Sequence, residues 1–165
     1  MPATYEPIAT TTLGSATATI TFNSIPGTYT DLRLVIVGTS SGGYGYLRFN
    51  SDSGTNYSLT DLEGNSNGVV RSARYTNQAQ IYFYGGYTNL GSNPMTSSVD
   101  IFSYAGSTNK TCIVCDGGQG SSVSAAIRLV GLWRSTSAIT RIDIVNAAGD
   151  FNTGTTATIY GILKA

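Results

Sequence analysis

The chain has 165 residues, nine basic and nine acidic side chains, a formal net charge of zero and only 11% charged residues. That length fits one domain able to bury a core without disulfides or metals. The sparse charge, with the arginines spread singly, excludes the clustered basic surface that nucleic acid requires.

Histidine is absent, which removes the commonest general base and the commonest metal ligand together. Near-zero net charge also favours association between copies, because self-repulsion is weak.

Residues 1–13 carry two prolines, a run of threonines and two sizeable apolar anchors, Tyr5 and Ile8. Prolines resist helix and favour extended backbone. The composition predicts an extended N-terminal arm over 1–13, ahead of a β domain over 14–165. Such an arm cannot recover its ordering entropy, roughly 1–2 kcal/mol per residue, by folding on itself. It is therefore expected to lie along a neighbouring subunit, with Tyr5 and Ile8 in pockets; a frayed terminus is the alternative. Met1–Pro7 has neither a positive n-region nor an apolar h-region, so no secretory signal is expected. No apolar run approaches the ~20 residues of a membrane helix, and no membrane partner is expected.

From Ala16 the period is two: Ala16, Ala18, Ile20 and Phe22 share one face, Thr17, Thr19 and Thr21 the other. This predicts a half-buried strand. After the turn Ser24-Ile25-Pro26-Gly27 comes Leu32–Val37, apolar at nearly every position and so expected inside a sheet. Tyr44–Phe49 follows, bounded by Gly42-Gly43 and Asn50-Ser51-Asp52. Residues 50–68 lack clear periodicity and predict a long surface loop, with one helical turn near Leu59–Glu63. Further strands are predicted at Val69–Tyr75, Gln80–Tyr84, Val99–Tyr104, Thr111–Val114, Val123–Trp133, Ile139–Val145 and Thr156–Ile162. Nine or ten strands with Gly, Asn and Ser turns predict a single all-β domain, an antiparallel β-sandwich of jelly-roll type.

Carboxylates are the remaining acid/base candidates, and Asp52, Asp61 and Glu63 fall within the predicted loop. A glycosidase needs two carboxyls held across a sugar, which this spacing does not supply. Read as a calcium loop from Asn50, the segment puts Thr55 and Asp61 where glycine and glutamate belong. Cys112 and Cys115 form a Cys-x-x-Cys, but three residues apart on a strand they face opposite sides, and zinc lacks its second pair. No cofactor, metal or enzymatic activity is expected. The excess lies in 11 tyrosines, a residue suited to protein interfaces and sugar platforms alike and also to ordinary sheet packing. Trp133-Arg134, closing the longest strand, reads as a stacked pair and candidate interface anchor; a core tryptophan is the alternative.

Several segments carry a resemblance. Tyr5-Glu6-Pro7-Ile8-Ala9-Thr10-Thr11-Thr12-Leu13-Gly14 and Phe22-Asn23-Ser24-Ile25-Pro26-Gly27-Thr28-Tyr29-Thr30-Asp31-Leu32 open the chain. Leu47-Arg48-Phe49-Asn50, Asn56-Tyr57-Ser58, Gly131-Leu132-Trp133-Arg134-Ser135 and Ile159-Tyr160-Gly161-Ile162 follow. Together they resemble a family of tailed-bacteriophage virion proteins found in phages of cyanobacteria and other aquatic bacteria. The resemblance implies packing and turn roles for these motifs, with no catalytic role. It implies a virion protein made in the host bacterial cytoplasm. The expected role is capsid decoration (cement) on the outer face of the head shell, with the major capsid protein and the chain itself, as a homotrimer, as partners. A receptor-binding tail fibre or tail tip protein recognising host glycans is the alternative.

Overall fold

The computed structural model describes residues 4–83, 92–119 and 124–163. Among the described residues there are twelve strands: β1 (Tyr5–Thr12), β2 (Thr19–Phe22), β3 (Asp31–Gly38), β4 (Gly45–Phe49), β5 (Tyr57–Asn65), β6 (Val70–Gln78), β7 (Ile81–Phe83), β8 (Met95–Phe102), β9 (Lys110–Gln119), β10 (Ser124–Trp133), β11 (Ile142–Asn146) and β12 (Thr156–Ile162). They form an eight-stranded sheet, β1-β12-β3-β8-β9-β10-β5-β6, and a four-stranded sheet, β2-β11-β4-β7. Every pairing is antiparallel. The fold is the antiparallel β-sandwich expected from the strand pattern.

Alternation builds the core. Leu32, Leu34 and Ile36 of β3, Val99 and Ile101 of β8, Val114 of β9 and Ile159 of β12 point inward from the large sheet and are wholly buried. Leu47, Phe49, Ile81, Ile142 and Ile144 meet them from the small sheet. Each such side chain contributes roughly 1.5–3 kcal/mol relative to exposure. Gly161 shows how tight the fit is, since a Cβ there would lie 2.3 Å from the Tyr29 ring.

Two expectations need correction. Residues 5–12 are not an arm awaiting a neighbour: they form β1, the outermost strand of the large sheet, in register with β12 from Tyr5↔Ile162 to Thr12↔Thr156. The chain's own last strand offers the hydrogen-bonding row that a neighbour was expected to provide. Threonine hydroxyls add rungs, Thr10 with Thr158 at 3.0 Å and Thr12 with Thr156 at 3.1 Å. Ile8 and Ala9 pack against the core. Pro7 is tolerated because β1 is an edge, and the register shifts between Pro7 and Ala9, as a bulge does.

The second correction concerns 50–68, where β5 replaces the loop and its helical turn. Tyr57, Leu59, Asp61 and Glu63 alternate inward, and Leu62 faces out, 58% exposed. The period is two, but two of the inward residues are acids and an outward one is leucine. A hydrophobicity pattern therefore cancels. The other boundaries shift by a few residues, with Thr156–Ile162 as expected. Tyr84, Tyr87 and Val123 lie outside the described residues.

Candidate binding face

Three segments far apart in sequence converge where β4, β5 and β10 end. Asn50 and Ser51 turn the chain with φ of 52° and 58°, a left-handed conformation that asparagine tolerates best after glycine. Asn50 Oδ1 accepts from the backbone N–H of Thr140 at 2.9 Å and of Arg141 at 3.1 Å. The turn delivers Asp52, whose Oδ2 accepts from Trp133 Nε1 at 2.7 Å. Its Oδ1 accepts from Gly54 N at 2.9 Å and Asn56 Nδ2 at 3.2 Å. Burial raises the Asp52 pKa, but these donors and the charge of Arg48 outweigh it and hold the carboxyl below its ordinary value.

Trp133, 2% exposed, is stacked on Tyr57 with ring centroids 6.3 Å apart and meets Phe49 at 5.6 Å. Tyr57 Oη accepts from Phe49 N and donates to the Asp52 carbonyl, each at 3.1 Å. Burial of the Tyr57 phenol pushes its pKa well up. Trp133 is thus a core residue and cannot anchor a partner. Arg134, expected as its stacked companion, instead ties the β4–β5 turn to β6, donating to Thr55 O at 2.6 Å and Asn77 Oδ1 at 3.2 Å.

Tyr5 of the other proposed contact pair lies 42% exposed, edge-on to Tyr160 at 6.2 Å. The Arg33 guanidinium sits 5.5 Å over its ring and pairs bidentately with Asp100. Ile8 is turned to the core, so Tyr5 and Ile8 do not act together on one surface.

The acids considered for catalysis are engaged in structure. Glu63 Oε2 lies 2.8 Å from Arg71 NH2, which also approaches Asp61 at 3.6 Å. Asp61 Oδ1 accepts from the backbone N–H of Ala73 at 2.9 Å. Asp116 accepts from the Ser97 hydroxyl. Among the described residues, no three His, Cys, Asp or Glu side chains gather as a metal site. Cys112 is buried, its thiol pushed up to about 12 by desolvation, and Cys115 is partly exposed; both are free.

The outer face of the small sheet, where Tyr44 is exposed and Tyr46, Arg48 and Tyr82 are half-buried, holds the arrangement best suited to a partner. Tyr46 and Arg48 alternate along β4, and Tyr46 is paired with Tyr82 of β7. Tyr44, 37% exposed, lies 5.6 Å from Tyr82 and 6.4 Å from Tyr46. Arg48 stacks 4.9 Å over the Tyr46 ring and is held by Gln80 Oε1 at 3.0 Å and Ala79 O at 3.3 Å. Beside it, Asp143 accepts from Arg141, Thr21 and Ser51. Burial raises the Asp143 pKa, but these partners outweigh it and keep the carboxyl ionised below its usual range. The face combines aromatic rings and a fixed cation, with the buried Asp143 carboxylate holding the strands beneath it in place. It can hold a surface rich in hydroxyls or peptide groups. The sequence excess of tyrosine pointed toward it. Arg48 and Gln80 escaped notice, although Tyr44, Tyr46 and Arg48 stand at alternate positions.

The class defined by fold and face is an antiparallel β-sandwich with an outward-facing group of aromatic rings. No family model and no curated protein matches the chain. Among solved structures it is similar to an exo-inulinase of Aspergillus awamori, 13% identical over 96% of this chain and 29% of that one, TM-score 0.39. A galectin of Caenorhabditis elegans is 12% identical over 94% and 96%, TM-score 0.34. Peanut lectin is 7% identical over 98% and 92%, TM-score 0.33.

Proposed function

We propose that this protein is a structural subunit of a tailed-phage particle, a decoration (cement) protein seated on the outer face of the head shell. The observation that carries the reading is how the virion-like motifs meet. Leu47–Asn50, Asn56–Ser58 and Gly131–Ser135 supply the Phe49, Tyr57 and Trp133 rings of one packed cluster. Tyr29 and Gly161, from two further motifs, interlock. Residues from motifs far apart in sequence thus pack as one cluster. Asp52, Asp61 and Glu63 are engaged in ion pairs and turns. A decorating subunit works by repeated contacts, each marginal and stable in number, and the tyrosine face suits such a contact. Separating heads from tails in disrupted virions tests the placement. The protein is expected with the heads, and recovery solely with tails overturns it.

A second reading is favoured by the platform itself: Tyr44, Tyr46 and Tyr82 beside Arg48 also suit stacking against a sugar ring. In that case the subunit grips host surface glycans from a tail fibre or tip. Tyr44→Ala separates the two, since it lowers retention on capsids in the first reading and glycan-array binding in the second.

A further inference from the structure

The two edges of the large sheet are built differently. β1 carries Pro7, which has no N–H to offer, and a register shift beside it; both blunt an edge against pairing. β6 holds no proline and keeps an unbroken register with β5 from Val70 to Tyr75, shifting only beyond it, and among the described residues no strand pairs with its outer side. Its polarity follows from the hairpin. Val69 O accepts from Asn65 N at 3.0 Å, and the Ala73 N–H points to the β5 side, where it donates to the Asp61 carboxylate. Odd-numbered residues of β6 therefore turn their backbone groups toward β5. Val70, Ser72 and Arg74 turn theirs away from the sheet, and Val70 is 80% exposed.

We infer that β6 is a self-pairing edge, joining two copies of the chain antiparallel about a two-fold axis through Ala73. Only a register centred on a residue keeps matching faces together, since side chains alternate with period two. Centring on Arg71 or Arg74 sets arginine against arginine, which is unfavourable. Centring on Ser72 shortens the overlap. Centring on Ala73 spans 70–76, stopping before Asn77, where φ is 55°. It opposes Val70 to Thr76, Arg71 to Tyr75 and Ser72 to Arg74, with Ala73 meeting Ala73. Ser72 and Arg74, whose backbone groups face outward, then exchange hydrogen bonds. The zero net charge leaves little repulsion between the copies. The two eight-stranded sheets become one continuous sheet. An isologous contact of this kind closes at two, whereas a trimer needs a different surface.

The test is sedimentation of the full chain at rising concentration, with three variants. The wild type is expected to form dimers. Ser72→Pro removes an outward N–H and nothing that β5 uses; it is expected to sediment as a monomer with the wild-type unfolding temperature. Val70→Lys is a second route to a monomer should the proline variant fail to fold. Ala73→Cys, made with Cys115→Ser, brings two cysteines within disulfide reach and is expected to cross-link to a covalent dimer on oxidation. A monomeric or trimeric wild type overturns the proposal. So does a dimer that survives both Ser72→Pro and Val70→Lys, or one that Ala73→Cys fails to cross-link.

Discussion

Two groups of aromatic rings sit at opposite depths of the same sandwich. Phe49, Tyr57 and Trp133 are enclosed where β4, β5 and β10 converge, and each polar atom on the Tyr57 and Trp133 rings has a partner. Tyr44, Tyr46 and Tyr82 lie across the outer face of the small sheet, with Tyr44 well exposed and Arg48 laid over Tyr46. Both sets use β4, whose residues alternate between the two faces: Phe49 points in, Tyr46 and Arg48 out. Buried rings contribute area, packing and a specified turn, and losing one leaves a hole or an orphaned donor. Of the outer rings Tyr46 and Tyr82 are half-buried, and Tyr82 packs against the core, whereas the exposed Tyr44 contributes less to folding and retains the capacity to meet another molecule.

That contrast is open to measurement. The largest effect is expected from Trp133→Ala, which opens a cavity and leaves Asp52 without its indole donor. A loss of roughly 3–5 kcal/mol should appear in denaturant unfolding, and a loss under about 1 kcal/mol would show the inner cluster to be loosely packed. Tyr57→Phe comes next, keeping the ring and removing the hydroxyl. The Phe49 N–H is then buried without its acceptor, at a cost of about 1–3 kcal/mol.

Acid should weaken the inner cluster through Asp52. Its folded pKa lies below the ordinary value of 3.8, so its stabilisation is fully present above that value. It is lost as pH falls through the lower folded value. Wild-type unfolding temperature should therefore drop below about pH 4, with a shallower drop in Asp52→Asn. Equal slopes would remove Asp52 from the account. Asp143 acts in the same direction on the outer face. The smallest effect on folding is expected from Tyr44→Ala, within about 0.5 kcal/mol of wild type. Its consequence should appear in binding, to capsids or to glycans, and a variant that binds normally would reduce the face to ordinary sheet packing.

The amino-acid order by itself determined that this chain is a sandwich. β12 reads directly from Thr156–Ile162, and β3 from the apolar run Leu32–Val37, because a short run of β-formers between turn signals needs no knowledge of a partner. The absence of histidine and the balance of charge were equally plain. Tertiary structure decided the rest, since it depends on what lies opposite. Residues 5–12 became a strand only because β12 waits for them, with Thr10 and Thr158 148 positions apart. β5 stayed hidden because Asp61 and Glu63 point inward. Arg71, on the next strand, makes those buried charges tolerable by pairing them, and no local pattern carries that information. Trp133 could be core or contact until Tyr57, Phe49 and Asp52 closed around it. Tyr44 and Tyr46 gained a third ring when β7 paired beside β4. Periodicity is a local property of the chain, whereas burial, pairing and the company a side chain keeps are set by residues far away in sequence.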